Sequence, residues 1–565
     1  MLARLRLRNF VPPSLKWFEQ QQTSILSAAT IITAANVLSA LAAIVRQRLL
    51  TSLFFDTVAA QQALEAFLVS FQLPDMMFQL LVIGSVSAAF IPVFTTIKRV
   101  HDEKKAFALT DTLLTTLLVA FIVMSIVIAI YSYPITVWRT GAQYTEAQIR
   151  LTSDLTRMIL IAQIFFLISS IHGALLQSYQ RFIIPSLAPI LYNLGIVAGA
   201  YFLTPVMGIY GPGLGACFGA FLHMAIQIPF SRKLGYKFKF SLNWKTPGFS
   251  SIIKLMPART LTLAAGELQV LALTFFTTNI GNLSFLITRY ALLLITLPIR
   301  FFGVPIGQAS LPFLSEQSED NERSTFRKLL IQSLNQIAFL AMPSSILIVI
   351  LRIPLVRMLF GTQNFPWEAT LSTGKMVGII AISITAQAMV QLLIRAYFAL
   401  KDTWTPLLLG LLDLGIFLIA VSVINLYFPS IALVGIAWAM TFAAFIEVIM
   451  MLWLLHRRIG DLLSSTLIIG QLKIIAASFL MAVFLYLPFR LFDLYLFNTS
   501  RTLELILLVV TTGTIGLLVY VYFANLLKIP ELELLQKLFS TLKTHRAVIS
   551  QTPEVVSQPP ESQTL

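Results

Sequence analysis

LLQSYQRFIIPSLAPILYNLG (175–195) and LLIRAYFALKDTWTPLLLGLLDLG (392–415) are two copies of one pattern. Each leaves an apolar helix, crosses a short polar turn, passes a proline and re-enters an apolar helix. A second pair of stretches recurs at nearly the same spacing. Leu73-Pro74, Gly84 and Pro92 are echoed by Leu297-Pro298, Gly307 and Pro312. An even number of apolar segments separates the copies, so both halves cross a membrane in the same sense. That is a parallel repeat, related by an axis along the membrane normal. Two bundles arranged this way enclose a central cavity, and rocking them about it gives alternating access.

The composition agrees. Apolar residues make up 57% of the 565 and charged residues only 12%. Soluble domains hold about 45–50% and about 25% respectively. A soluble enzyme, a disordered chain and a coiled coil are therefore excluded, leaving an all-α polytopic membrane protein. About fourteen transmembrane helices are expected, from a first segment at 25–54 to a last at 503–527. Residues 1–24 are expected to be a basic cytoplasmic tail. Six-helix bundles are expected over 25–230 and 251–455, and two further helices over 466–527. A cytoplasmic, partly disordered tail over 528–565 follows. The net charge of +15 lies mainly in alternate loops, which hold more than three times the Lys and Arg of the others. The positive-inside rule then places both termini in the cytoplasm. It also removes any need for a nucleic-acid partner.

Charged residues inside apolar segments are the candidates for function, because each costs roughly 2.5 kcal/mol or more unless wet or partnered. Arg46 lies well past the middle of its run, with Arg48 nearby. Arginine suits a pyrophosphate, since its planar fork makes parallel hydrogen bonds. Arg289 and Arg300 are eleven residues apart and share a helical face. Glu65, Asp75, Glu267 and Asp413 are acids in apolar segments, placed to neutralise a cavity arginine or to bind a cation. His172 and His223 have no second ligand at helical spacing, so no metal site is expected. The single cysteine, Cys217, permits no disulfide within the chain. No GxSxG, Walker A, HExxH or EF-hand pattern occurs, so no enzyme is expected.

Four stretches resemble the MurJ/MviN lipid II flippases of the MATE-like (MOP) transporter superfamily. They are LEAFLVSFQLPDMMFQLLVIGSVSAAFIPVF (64–94), the 175–195 turn, LITLPIRFFGVPIGQASLPFLS (294–315) and RAYFALKDTWTP (395–406). The resemblance covers most of 25–460. It implies a bacterial cytoplasmic-membrane flippase for an undecaprenyl-pyrophosphate-linked wall precursor, with substrate residues among Arg46, Arg48, Arg289, Arg300 and Glu65. It also implies a coupling cation, Na⁺ or H⁺, near Glu267, Asp413 and Thr441, and wall-synthesis proteins as partners. No other cofactor is expected. The chain departs from the family's pattern at Ala40, at Phe78-Gln79, at Ile83 and at Ala291-Leu292-Leu293-Leu294, where the family carries charged residues. Two other readings stay open: a non-transporting scaffold with this fold, and a MATE-like exporter of amphipathic molecules.

Overall fold

The computed structural model describes residues 25–83, 90–281, 283–317, 323–499 and 501–533. The tail expected over 1–24, most of that over 528–565, and Gly84 of the repeat lie outside these residues. No β-strand occurs among the described residues. Among the described residues eleven helices are long and apolar enough to cross a membrane, or twelve if the bent pair Trp367–Ala381 and Ile384–Ala399 forms one span. The other two of the fourteen segments are also helical. One is broken into short pieces, and the other runs Phe249–Ile280.

The first half begins with α1 (Ile25–Phe54). The broken second span follows as α2 (Val58–Ser70), α3 (Gln72–Phe78) and α4 (Ile91–Val100). Then come α5 (Glu103–Arg139), α6 (Glu146–Ser178), α7 (Ile183–Phe202), α8 (Tyr210–Ala225) and α9 (Gln227–Lys233). Local chemistry sets the ends. The Asp102 carboxylate accepts from the Lys105 amide at 2.6 Å and starts α5. Thr145 and Gln148 form a reciprocal capping box that starts α6. Helices α7 and α8 approach through glycines. A Cβ on Gly195 would lie 2.3 Å from the Gly219 Cα, and one on Gly199 would lie 2.5 Å from the Gly215 Cα. In lipid there is no hydrophobic drive between helices, so such backbone contact supplies the packing.

The second half repeats the plan with α10 (Phe249–Ile280), α11 (Ser284–Pro298), α12 (Val304–Glu316), α13 (Arg323–Ile350) and α14 (Arg352–Phe360). It continues with α15 (Trp367–Ala381), α16 (Ile384–Ala399), α17 (Trp404–Tyr427) and α18 (Ala432–Ile459). The last two helices, α19 (Ser465–Leu491) and α20 (Thr502–Leu526), pack on the flank against α13 and α14.

The repeat is visible in backbone detail. Gln180 and Lys401 both adopt φ 59°. One residue on, the Arg181 amide donates to the Leu176 carbonyl at 3.0 Å and the Asp402 amide to the Tyr397 carbonyl at 2.9 Å. Both turns therefore close with the same Schellman cap. Each Leu-Pro is also followed by a wide π-turn, at Gln79–Ile83 and at Ile299–Gly303. In the second copy the wide turn directly follows Pro298, which lacks the N–H that would continue the α-helical ladder; in the first it begins at Gln79, after the short helix that Pro74 opens.

The halves are sealed together at one end. There the core runs without interruption from Leu50, Phe54, Phe55 and Phe67 of the first half to Phe285, Leu286, Tyr290 and Phe360 of the second. Tyr290 stacks on Phe360 with ring centroids 4.4 Å apart. Polar contacts reinforce the seal. Asn364 Nδ2 donates to the Ser52 carbonyl at 2.9 Å, and the Gly141 amide donates to Thr278 Oγ1 at 2.8 Å. At the other, basic end the first half forms a separate core around Phe94, Leu113, Leu175 and Tyr236.

Candidate functional site

A cavity of about 300 Å³ lies on the seam, beneath the sealed end. The first half contributes most of its wall, including Arg46, Asp75, Gln163 and Tyr192; Arg289 comes from the second. The broken second span explains Asp75. Helix α2 ends at Ser70, and α3 restarts with the Asp75 amide bonded to the Phe71 carbonyl at 2.8 Å. That restart turns the carboxylate toward the cavity, where Gln163 Nε2 donates to it. Gln163 Oε1 is buried and has no hydrogen-bond partner.

The charges form one electrostatic group. Arg46 interacts with Asp75 and Tyr192. Arg289 interacts with Asp75, Arg46, Arg300 and Glu267. Three cations thus face two acids, a net excess of positive charge. Arg289 and Arg300 retain exposed side chains and Arg46 is half-buried. Arg46 and Arg289 line the cavity, whereas Arg300 is not among its lining residues.

Other expected residues lie elsewhere. Arg48 donates to the Met358 carbonyl and to Thr502 Oγ1, both at 2.9 Å. It ties α1 to α14 and α20, and these bonds hold it outside the cavity. Glu65 is only 2% exposed and accepts from Gln148 Nε2 at 3.1 Å. It faces Tyr144 rather than the cavity. The expected cation trio is not assembled. Glu267 turns to Arg289, attracted by its charge. Thr441 Oγ1 donates to the Ile379 carbonyl at 3.1 Å. Asp413 instead accepts from Gln269 Nε2 at 2.9 Å and interacts with Glu447.

Gln163, Tyr192, Gln269 and Glu447 were missed by sequence reasoning. Glu447 carried the same signal as the others, an acid in an apolar run. Neutral Gln and Tyr carry no such signal. Arg139, the last residue of α5, is 2% exposed; its Nη1 donates to the Val69 carbonyl at 3.1 Å and to Gln72 Oε1 at 3.2 Å.

Two like-facing helical bundles, a charged cavity on their seam and a seal at one end make this a polytopic membrane protein built from two repeated halves. A sequence model of the family "Lipid II flippase MurJ" matches residues 51–506, and the chain belongs to that family. A relative named lipid II flippase MurJ from Burkholderia cenocepacia is 24% identical over 390 residues, 68% of this chain and 75% of its own. A probable lipid II flippase MurJ from Thermotoga maritima is 26% identical over 488 residues, 84% of this chain and 92% of its own. Among solved structures, a lipid II flippase MurJ in an inward closed conformation matches with a TM-score of 0.70 and 21% identity, covering 88% and 98% of the two chains. An inward-facing multidrug-resistance MATE transporter of the MOP superfamily matches with a TM-score of 0.59 and 12% identity, covering 77% and 99%. These two likenesses bear on the fold alone.

Proposed function

We propose that this chain moves a lipid-linked pyrophosphate, of the lipid II type, across the bacterial cytoplasmic membrane by alternating access. The observation that carries this reading is the meeting of Arg46 and Arg289, from opposite halves, in one accessible cavity. Two guanidinium forks grip a diphosphate with parallel, charge-assisted hydrogen bonds. Asp75 and Gln163 hold Arg46 and the wall in place and keep the net charge low enough for release.

The basic end faces the cytoplasm by its excess of Lys and Arg. The sealed end then faces outward, and both termini lie inside. In this state the headgroup is taken up from the cytoplasmic side, while the prenyl chain stays in lipid. Release requires the sealed end to part and the basic end to close.

Arg289 takes the part that the family's eighth-helix charge would play, one turn from Leu293. The coupling cation, Na⁺ or H⁺, is assigned to Asp413 and Glu447, with Gln269 as an orienting donor. Partners among wall-synthesis proteins follow from the substrate. A scaffold needs no accessible arginines at its centre, and an exporter of amphipathic molecules has no need of two guanidiniums that meet there.

The test is a reconstituted flipping assay with a labelled prenyl-pyrophosphate lipid. Arg46→Ala is expected to slow flipping by about tenfold or more, the value of a lost charged hydrogen bond. An unchanged rate in a folded variant overturns the reading.

A further inference from the structure

Besides Arg48, eight basic residues fall in the segments at or near the sealed end, against the trend of the chain. Most are individually accounted for. Arg150 pairs with Glu146 at 2.8 Å, Arg157 with Asp154 at 2.8 Å and Arg501 with Glu504 at 3.5 Å. Arg139 is the buried strut described above, and Lys375 is exposed on α15. Arg352, Arg357 and Arg490 behave differently. They converge on one cavity of about 580 Å³, between the second half and the appended pair α19 and α20. A single acid, Asp493, shares it. Among the described residues, none of the three arginines forms an ion pair with it or with any other carboxylate.

Two of the three, Arg352 and Arg357, are held in place. The Arg352 stem lies along a groove left by two glycines one helical turn apart. A Cβ on Gly378 would lie 2.9 Å from Arg352 Cδ, and one on Gly374 would lie 3.9 Å from Arg352 Cγ. Arg352 Nη1 donates to the Val349 carbonyl at 2.9 Å. Arg357 sits with Cζ 5.5 Å from the Trp367 ring centroid, and its Nη1 donates to Thr499 Oγ1 at 3.4 Å. Each guanidinium carries five N–H donors, so most remain uncommitted to protein. Like charges gathered in one cavity repel one another. An anion relieves that repulsion and satisfies the donors.

The walls indicate which anion. Trp367 and Tyr486 line the cavity and are 54% and 57% exposed. Such half-exposed aromatics mark headgroup depth in a bilayer. Val349, Ile350, Leu371 and Phe489 add an apolar wall beside them. A volume in the 300–1,000 Å³ range of ligand sites is about right for a headgroup and the start of a chain. A free inorganic anion has no use for the apolar wall.

We propose that Arg352, Arg357 and Arg490 form a binding site for the phosphate of a membrane lipid in the leaflet at the sealed end. The site is separate from the seam cavity and does not depend on transport through it. By clamping a lipid between α14, α15 and α19, it would fasten the appended helices to the second half.

The test is native mass spectrometry of the full chain, extracted from nanodiscs that contain phosphatidylcholine with added phosphatidylglycerol, farnesyl pyrophosphate or inorganic phosphate. The wild type is expected to retain a lipid-phosphate adduct, and Arg352→Gln/Arg357→Gln/Arg490→Gln to lose it by about tenfold in apparent affinity. Preferential retention of phosphatidylglycerol makes the occupant a bulk phospholipid, and preferential retention of the prenyl compound makes it a lipid of the substrate class. Either supports the site. Equal retention by wild type and variant overturns it, as does retention of inorganic phosphate alone. Should the triple variant fail to fold, Gly378→Leu carries the same test, because it displaces the Arg352 stem while leaving all three charges in the chain. Loss of flipping in Arg46→Ala leaves this result untouched, so the two proposals fail separately.

Discussion

Asn193 and Asp413 stand at matching places in the two copies of the repeat, a few residues beyond turns that close identically. Their surroundings have diverged. Asn193 donates to the Pro189 carbonyl at 3.0 Å and adjoins Tyr192 on the cavity wall, which is dominated by Arg46 and Arg289. Asp413 faces Gln269 and Glu447, with no arginine among its interactions. One backbone plan thus carries two different polar settings, one beside the seam arginines and one built around paired acids. The turns match because the backbone needs the same cap in both copies, while the side chains beyond them differ.

The comparison is broken most sharply at the anion site. Arg289→Ala should reduce flipping of a prenyl-pyrophosphate lipid by about 10- to 100-fold, in line with about 1.5–3 kcal/mol for a hydrogen bond to a charged group. Arg289→Lys should recover only part of it, since an ammonium cannot form the fork. Full recovery by lysine would mean that charge alone matters there. On the cation side, Asp413→Asn with Glu447→Gln should leave basal flipping but abolish its response to an imposed Na⁺ or H⁺ gradient, a change of about fivefold or more. Persistence of that response would move the coupling site elsewhere.

Between the two halves lies the seal. Gly141→Val should destabilise the sealed state by about 1–3 kcal/mol, the usual cost of overpacking. A Cβ there would lie 2.4 Å from the Asn279 backbone. Accessibility of a cysteine placed at Thr278 is the readout, and increased labelling is expected.

The smallest effect concerns the turns. Asp402 accepts from the Trp404 and Thr405 amides at 3.0 Å each and from Arg458, whereas the first copy has no side-chain cap at this point. Burial works against the Asp402 carboxylate, but Thr405 and Arg458 outweigh it and hold the group below the ordinary aspartate value. A depressed value contributes stability above the unfolded value near 3.9 and loses it as pH falls through the folded one. Asp402→Ala should therefore cost about 1 kcal/mol at neutral pH and almost nothing in strong acid. Thermal melting of the two proteins in detergent across pH checks this.

Much of this was legible in the chain. The spacing of proline, glycine and polar turns located the repeat, and the structure bears it out down to the positive φ at Gln180 and Lys401. Arg46, Arg289 and Arg300 could be singled out because a cation in an apolar run needs a reason to be there. The same rule also pointed to Arg48 and Glu65, which satisfy themselves against Met358, Thr502 and Gln148. It overlooked Gln163 and Tyr192, which carry no net charge to attract notice.

Hydrophobic run length, loop charge and internal recurrence are properties of the linear chain, and from them the helices, their common sense and the list of costly buried charges followed directly. Which of those charges meet was decided only in three dimensions. A helix of thirty residues presents its side chains all around its axis, and rotation, tilt and the break at Ser70 choose which of them face the seam. Arg490 makes the point most plainly: far from Arg352 and Arg357 in sequence, it becomes their neighbour only because the last two helices fold back against the second half.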